Sequence, residues 1–401
     1  MFLTMVRKCI SRICFLGVCD LDFLAFISDV RVRNECIMSS YAVALENCGS
    51  AAHLADLQIL RARNLAIPHD YGSWPLHCTA GTWTWCRILD ADGNLASGFA
   101  VHLTPSRAIP GTCIGRVERV GRNLHEETAT AMGGLLRTVA RKIPRLLRLD
   151  VRVFDENPLR RRQLCDSLRT AGWSSTERRR AYSHTLVLKL AHSESEVLKG
   201  FTTRVRSTIK KALGSPALRF EPISGTAYAD RIRYLYALPF ARTGGIPPSI
   251  DVKGILEDSQ NGNTSFLIGA FGRDGTAPAD LVALIWARLH GDHVMLEINA
   301  SERSELFSHL SPGFGLVSQV IGWSIQRGAQ WIDLGGLPSM ETSADDPMRG
   351  VVEFKRRFSS DFREVAEEWR FEPSPLLASA ASAIRSIATS VRSVRHSHGP
   401  G

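Results

Sequence analysis

The sequence predicts an α/β protein in which two halves follow one plan and a helix lies at the C-terminal end. Length is the first observation, because 401 residues exceed one ordinary domain and suit two or three. Composition is the second, because 44% hydrophobic and 22% charged residues are typical of a chain that buries substantial cores. The third observation is one order of strand-like and helix-like segments, which occurs in the first half and again in the second.

The first half, residues 40–200, opens with mixed character and a predicted helix over 51–64. Turn residues at 90–94 separate two strand-like segments and therefore indicate a hairpin. Alternating or helically spaced apolar residues predict the segments that follow. In chain order they are strands 82–89, 95–103 and 112–120, helix 126–143, strand 147–154, a helix from Asn157 to Ala171-Gly172-Trp173, and strand 182–190.

The second half, residues 201–373, repeats this order. Its predicted segments are helix 227–241, strands 264–270, 279–289 and 293–300, helix 316–327 and strand 331–334. Between the halves, residues 193–220 carry apolar side chains at helical spacing, which predict an amphipathic helix. The apolar positions of that stripe are Val197, Phe201, Val205, Ile209 and Leu213.

The two ends of the chain differ from the halves. Residues 1–39 are expected to form a poorly ordered extension, because the apolar stretch there falls short of the ~20 residues that span a bilayer. Residues 374–401 are expected to form an amphipathic helix and tail, with Leu377 and Ile384 on the apolar face and Arg385 elsewhere. Such a helix fits peripheral contact with an acidic membrane surface. No transmembrane segment is predicted.

A net charge of +9 favours anionic partners, namely nucleic acid, phosphorylated ligands or an acidic membrane. Nine cysteines are present without any Cys-x-x-Cys pair, which predicts neither a zinc site nor a disulfide framework and suits a reducing cytosol. His290 and His293 are expected at a strand turn, on the surface rather than as a metal pair.

The stretch Asp333-Leu334-Gly335-Gly336 places an acid at the end of a predicted strand, followed by paired glycines. Glycines allow close approach of a backbone, and the carboxylate can orient an acceptor amine. A simple turn aspartate explains the same residues.

A lysine lies between aromatic residues further along, in Phe354-Lys355-Arg356-Arg357-Phe358. In a partly dry site, a lysine can stabilise the negative charge that develops during acyl transfer. An exposed amphipathic helix whose phenylalanines dock on the core is the alternative interpretation.

Two further clusters are weaker. Arg204, Arg206 and Lys210 lie on neighbouring turns of the linker helix, where they can bracket a phosphate or carboxylate or simply form a solvated face. Gly313 and Gly315 precede a predicted helix, where backbone N–H groups can approach a phosphate, although turn glycines look the same.

The order of residues 328–336 followed by 352–358 resembles the signature of FemAB/FemX-type acyltransferases, which carry tandem GNAT-like (N-acetyltransferase-like) domains. The resemblance implies that Lys355 stabilises the tetrahedral intermediate or contacts the donor, that Asp333 orients the site, and that Phe354 and Arg356 contact substrate. It also implies that Gly313 and Gly315, with the glycine pair after Leu334, lie at the donor. In this family the end of the chain can return to complete the first domain. The sequence departs from the pattern after Phe358, where Ser359 replaces the usual glycine.

The resulting hypothesis is transfer of an acyl or aminoacyl group to an amine of a cell-envelope precursor, a polysaccharide or a small molecule. The donor is either acyl-CoA or aminoacyl-tRNA, used as a co-substrate with no permanently bound cofactor and no metal. Arg204, Arg206 and Lys210 would hold an anionic acceptor, which a lipid can carry. The expected location is the cytoplasm, with peripheral contact at the inner face of the membrane. The alternative is a non-catalytic binding module with degenerate GNAT-like halves at an anionic membrane surface or partner.

Overall fold

A computed structural model describes residues 40–384 except 64–80, 122–123, 177–181, 243–244, 261, 273–274, 303–306, 308, 338–342 and 344–345. The expectations for residues 1–39 and for the arginines from 385 onward therefore lie outside the described residues.

The described residues form two seven-stranded sheets covered by helices. The strands are β1 Ala42–Asn47, β2 Thr82–Leu89, β3 Leu95–Pro105, β4 Cys113–Gly121, β5 Leu146–Phe154, β6 Ser174–Ser175, β7 His184–Lys189, β8 Leu218–Pro222, β9 Ser265–Gly272, β10 Leu281–His290, β11 His293–Ser301, β12 Trp331–Leu337, β13 Phe362–Glu364 and β14 Ala366–Phe371. The helices are α1 Ala51–Ala62, α2 Glu126–Lys142, α3 Pro158–Thr170, α4 Glu194–Lys199, α5 Thr203–Leu213, α6 Ala229–Arg242, α7 Val252–Gln260, α8 Pro312–Gln326, α9 Arg349–Arg356 and α10, residues 375–384.

Local sequence signals account for several of these boundaries. The side chain of Asn157 accepts the backbone N–H of Leu159 at 2.9 Å, and Pro158 fills the first helical position, so α3 begins there. The β2–β3 hairpin turns at Gly93, whose φ of +80° suits glycine. The predicted segments occur in the predicted order, with ends displaced by a few residues, but strand β1 and helix α7 were not predicted.

The two sheets exchange a strand across the middle of the chain. The first sheet has the order β1-β2-β3-β4-β5-β14-β6 and the second has β13-β7-β12-β11-β10-β9-β8. Thus β7 leaves the first half for the second sheet, and β14 returns to the first sheet through the buried Val365. The return of the chain end agrees with the family resemblance. A division at residue 200 does not coincide with the change of sheet.

The linker between the halves is two helices rather than one. The predicted stripe is buried from Val197 to Ile209, but α4 ends at Lys199 and the Thr202 hydroxyl caps α5 by accepting the N–H of Val205 at 3.4 Å. A capping threonine offers the backbone an alternative to continuing the helix, and apolar spacing alone does not reveal that break. The segment that follows α5 pairs with β9 as strand β8, a strand that the apolar spacing does not predict.

Each half has its own core. In the first, α2 and α3 cover the sheet through buried residues such as Leu136 and Leu164. In the second, α5 and α8 cover one face, while α6 and α7 cover the other around the fully buried Trp286. The predicted site residues of 313–358 belong to this second, doubly covered sheet.

Candidate active site

Two neighbouring strands of the second sheet, β11 and β12, separate halfway along their length and leave an opening between them. β11 and β12 run parallel and pair at only three positions, from His293 with Trp331 to Met295 with Asp333. Beyond that point β11 continues against β10, and β12 continues against β7. The side chain of Glu297 on β11 is only 2% exposed although the residue as a whole is half-buried, so its backbone is open. Unpaired strand edges offer backbone donors and acceptors to an extended ligand.

The Asp-Leu-Gly-Gly motif forms the turn of β12 at this opening. Asp333 is buried, and its carboxylate accepts the N–H of Gly335 at 2.8 Å and the hydroxyl of Thr185. Gly335 has φ of +88°, a conformation that side-chain-bearing residues rarely adopt. A Cβ on Gly336 would lie 2.9 Å from Tyr182. Asp333 therefore holds the glycine turn in place and is a positioning residue in this geometry.

Lys355 reaches this turn from helix α9. Its Nζ donates to the carbonyl oxygens of Gly335 at 2.8 Å and Gly336 at 3.2 Å. An ammonium group has three N–H donors, so one has no partner in the part of the chain that the structure describes. Burial lowers the pKa of Lys355 from 10.5 to about 8, and the charge of Asp333 partly opposes this. Near neutral pH the amine of Lys355 is therefore mostly protonated, and the resulting ammonium group lies beside the opening between β11 and β12.

The glycine loop at the start of α8 meets the same helix. A Cβ on Gly313 would lie 3.4 Å from the ring of Phe354, which also contacts Phe314 at 5.4 Å between centroids. The side chain of Ser311, at the start of α8, makes no capping hydrogen bond to the first turn of that helix. Backbone N–H groups at the start of a helix can receive an anion in place of a capping side chain.

Close packing against a neighbouring strand explains why residue 315 is a glycine. A Cβ at this position would lie 2.3 Å from the Phe220 ring of β8, which is closer than any real contact. The structure therefore explains this glycine by helix–strand packing, whereas Gly313 has only ordinary contacts with Phe354.

The predicted basic set on α5 is exposed. Arg204, Arg206 and Lys210 all face solvent. Arg206 donates to the carbonyl oxygens of Phe201 and Lys199, so its guanidinium holds the break between α4 and α5. This helix packs on α8 through apolar residues of a shared core, on the face opposite its basic side chains.

Arg356 lies in a separate cleft on the other side of α9. That cleft has a volume of about 640 Å³ and is also lined by Arg357, Lys189 and Thr202, the last at the N-terminal end of α5. The structure thus brings Asp333, Gly313, the glycine pair, Phe354 and Lys355 together, and leaves Arg204, Arg206, Lys210 and Arg356 around them at the surface.

A buried layer of charged side chains, which the sequence analysis did not predict, joins this site to the first half. Arg119 of β4 is 2% exposed and lies 3.8 Å from Asp333 and 3.4 Å from the Nε2 of His293. Its guanidinium also stacks 3.7 Å from the ring centroid of Phe154. The first half therefore supplies a counter-charge for the carboxylate that shapes the glycine turn.

The expectation that His290 and His293 lie on the surface is wrong, because both are fully buried. His290 Nε2 lies 3.1 Å from Glu297, whose pKa burial raises to about 7 while Arg119 opposes the shift. His293 stacks on Trp331 at 4.2 Å between centroids. His293 contacts Arg119 and Phe154 of the first half. The sequence around the β10–β11 turn does not show that residues from the other half will cover it. Alternation along β11 is the signal that groups His293 with Glu297.

Across the described residues, no group of three or more His, Cys, Asp or Glu side chains is placed to hold a metal ion. None of the helices in the described ranges is long and apolar enough to cross a membrane.

No family model matches the chain, and no curated protein matches it. Among solved structures, FemX has a TM-score of 0.61 at 12% identity, over 79% of this chain and 95% of that one. L-PGS from Bacillus licheniformis has a TM-score of 0.47 at 10% identity, over 84% and 96% of the two chains. A tandem GNAT protein from the clavulanic acid biosynthesis pathway has 0.46 at 15% identity, over 84% and 99%. The similarity to FemX confirms the expected α/β fold of two tandem GNAT-like halves, and at this identity it concerns the fold alone.

Proposed function

We propose that this protein is an N-acyltransferase whose reaction centre lies where β11 and β12 part. The observation that carries the proposal is the ammonium of Lys355, held by two carbonyl oxygens at that opening with one N–H to spare. Attack of an amine on an activated acyl carbon creates a negatively charged oxygen. A fixed donor in a partly dry site stabilises such charge far better than water does.

The residues around Lys355 have defined tasks in this proposal. Asp333 keeps the glycine turn and thereby the two carbonyls that orient the ammonium. The open edges of β11 and β12 pair with the extended part of the donor, and the uncapped first turn of α8 at Gly313 receives its phosphate. The acceptor amine enters from the side of α9, where Phe354 provides an apolar wall.

The donor is acyl-CoA or aminoacyl-tRNA, both of which combine an activated acyl group with phosphate. The acceptor is an amine of a cell-envelope precursor, a polysaccharide or a small molecule with an anionic group. Arg204, Lys210 and Arg356 are exposed or line the neighbouring cleft, so they are placed to meet that anion. The proposed location is the cytoplasm, at the inner face of a membrane, because the net charge of +9 favours contact with anionic lipid there.

The second candidate is a non-catalytic binding module, which the exposed basic face of α5 favours. The two candidates differ in what they require of Lys355. A binding module needs the surface arginines, whereas only a transferase needs an oriented ammonium at the strand opening.

The test replaces Lys355 with Met and follows transfer of a labelled acyl group, from acetyl-CoA or from charged tRNA, to an amine acceptor. We expect a loss of about 10²–10³-fold in turnover, the range found when one oxyanion donor is removed. Lys253→Met is the matched control, because Lys253 is an exposed helical lysine that pairs with Glu257.

The pH dependence gives this test a second readout. Because the pKa of Lys355 is about 8, the ratio of wild-type to Lys355→Met rates should be constant below pH 8 and fall above it. Taking the ratio cancels titration of the acceptor amine. Equal turnover of the two proteins, or a ratio that is flat through pH 10, would remove Lys355 from the reaction.

A further inference from the structure

A second cavity lies in the first half, at the end of its sheet away from the second half. It has a volume of about 510 Å³ and lies beside the starting residues of β4 and β5, Ile114 and Leu147. Arg119 and Phe154, near the other ends of those strands, are the residues that meet the second half. The cavity is therefore separate from the opening described for acyl transfer.

Arginines dominate the charged lining of this cavity. Arg107, Arg116 and Arg148 line it together with one acid, Glu372. Arg148 is paired at 3.1 Å with Asp150, and the carboxylate of Asp150 also accepts from Arg370 at 2.8 Å. That carboxylate is thus shared between two arginines.

Arg116 has no such counter-charge. Its Nε is buried without a hydrogen-bond partner, and its guanidinium forms no ion pair with any residue in the described ranges. Arg107 is exposed at the rim and likewise forms no ion pair there. A partly buried cation without an acceptor is unfavourable, and an anionic ligand removes that cost.

Helix α10 forms one wall of the cavity and presents apolar side chains outward. Ala378 and Ala381 are buried against the cavity. Leu376, Leu377 and Ile384 are 85%, 45% and 45% exposed. An exposed apolar edge beside an arginine-lined cavity matches the two layers of a lipid surface, the phosphate headgroups and the acyl chains.

We propose that this cavity and helix α10 form a binding site for an anionic phospholipid. Arg107 and Arg116 bind the headgroup phosphate, and Leu376, Leu377 and Ile384 enter the apolar layer. A free phosphate would satisfy the arginines, but it would leave the exposed leucines unexplained. The site lies in the first half and does not rest on the acyl-transfer reaction, so either proposal can fail without the other.

The test is sedimentation of the full chain with vesicles of phosphatidylcholine alone or mixed with phosphatidylglycerol. We expect the wild-type protein to bind only the mixed vesicles. Arg107→Gln with Arg116→Gln should weaken binding about tenfold or more, given the contribution of each basic residue near an anionic surface. Leu376→Ser with Leu377→Ser should weaken it as well. Arg162→Gln with Arg327→Gln removes the same charge from exposed positions elsewhere and should change little.

The outcomes separate the sources of phosphate. Equal binding by the cavity variant and its charge-matched control would overturn the site, as would wild-type protein that ignores the mixed vesicles. Stabilisation by inorganic phosphate without vesicle binding would show a free-anion site and also overturn the lipid proposal. Arg107→Gln alone keeps the test valid if the double variant is unstable, because Arg107 is exposed.

Discussion

The two halves build the same pair of parallel strands and finish it differently. In the first half, β4 and β5 pair from Cys113 with Leu146 to Gly121 with Phe154, with two register shifts along the way. In the second half, β11 and β12 pair at three positions and then separate. One plan therefore yields a closed pair and an open pair, and Lys355 lies at the open one.

The closed pair has a different task. A register shift between Val117 and Val120 accompanies Arg119, whose side chain points out of the first half toward Asp333 and His293. Arg119 thereby places a charge of the first half beside the carboxylate that holds the glycine turn of the second.

Arg119→Gln should weaken the contact between the two halves. It removes the cation that lies 3.8 Å from the buried carboxylate of Asp333, where Lys355 remains the other nearby cation, and should cost about 3–5 kcal/mol of unfolding free energy, the range for breaking a buried ion pair. Denaturant unfolding measures the change. Arg233→Gln is the control, because Arg233 pairs with Asp230 at the exposed surface and should cost about 0–1 kcal/mol. Similar losses of unfolding free energy in the two variants would show that the Arg119–Asp333 contact between the halves does not stabilise the protein more than a surface ion pair does.

Glu297→Gln should change how stability depends on pH. The folded pKa of about 7 lies above the ordinary 4.5, so between these values the folded state keeps a proton that the unfolded state has lost. Stability of the wild-type protein thus falls as pH rises from 4.5 to 7, by a few kcal/mol at most, since one pKa unit is worth ~1.4 kcal/mol.

The Glu297→Gln variant should match the wild type near pH 4.5 and exceed it at pH 8. Melting curves across this range measure the difference, with Glu221→Gln at an exposed strand position as the control. A constant difference at all pH values would place the Glu297 carboxylate outside the buried layer.

Gly335→Ala compared with Gly93→Ala separates strain from function. Both glycines have positive φ, so each alanine should cost about 1–2 kcal/mol of stability. A Cβ on Gly335 would lie 3.1 Å from the Nζ of Lys355, whereas one on Gly93 meets nothing within 4 Å. Transfer activity should fall only in the Gly335 variant. Equal transfer activity of the two variants would show that the glycine turn takes no part in the reaction.

The sequence predicted the order of elements well because each half has local periodicity that its own sheet satisfies. The helices around Leu136 and Val320 and the strands around Val151 and Ile285 were predictable for that reason. The exchange of β7 and β14 between the sheets was not predictable. Which sheet a strand joins depends on which sheet edge is open, and the sequence of the strand itself does not determine that.

The candidate site was predictable only in part. Asp333, Gly335 and Lys355 lie close together in the structure, and their roles in a reaction stay predictions of the family resemblance. The contacts of Arg119 and the burial of His293 were not predictable, because the partner of each lies in the other half of the chain. No pattern within one segment encodes such a contact.

If the proposed function is correct, a donor binds in the open strand pair of the second half and leaves the closed pair of the first half unchanged. Hydrogen exchange of the backbone amides, measured with and without acetyl-CoA or charged tRNA, distinguishes the two strand pairs. We expect one donor to slow exchange in residues 296–301 and 334–337 and to leave exchange in 113–121 and 146–154 unchanged. Slower exchange in the first half alone, with 296–301 and 334–337 unchanged, would contradict it.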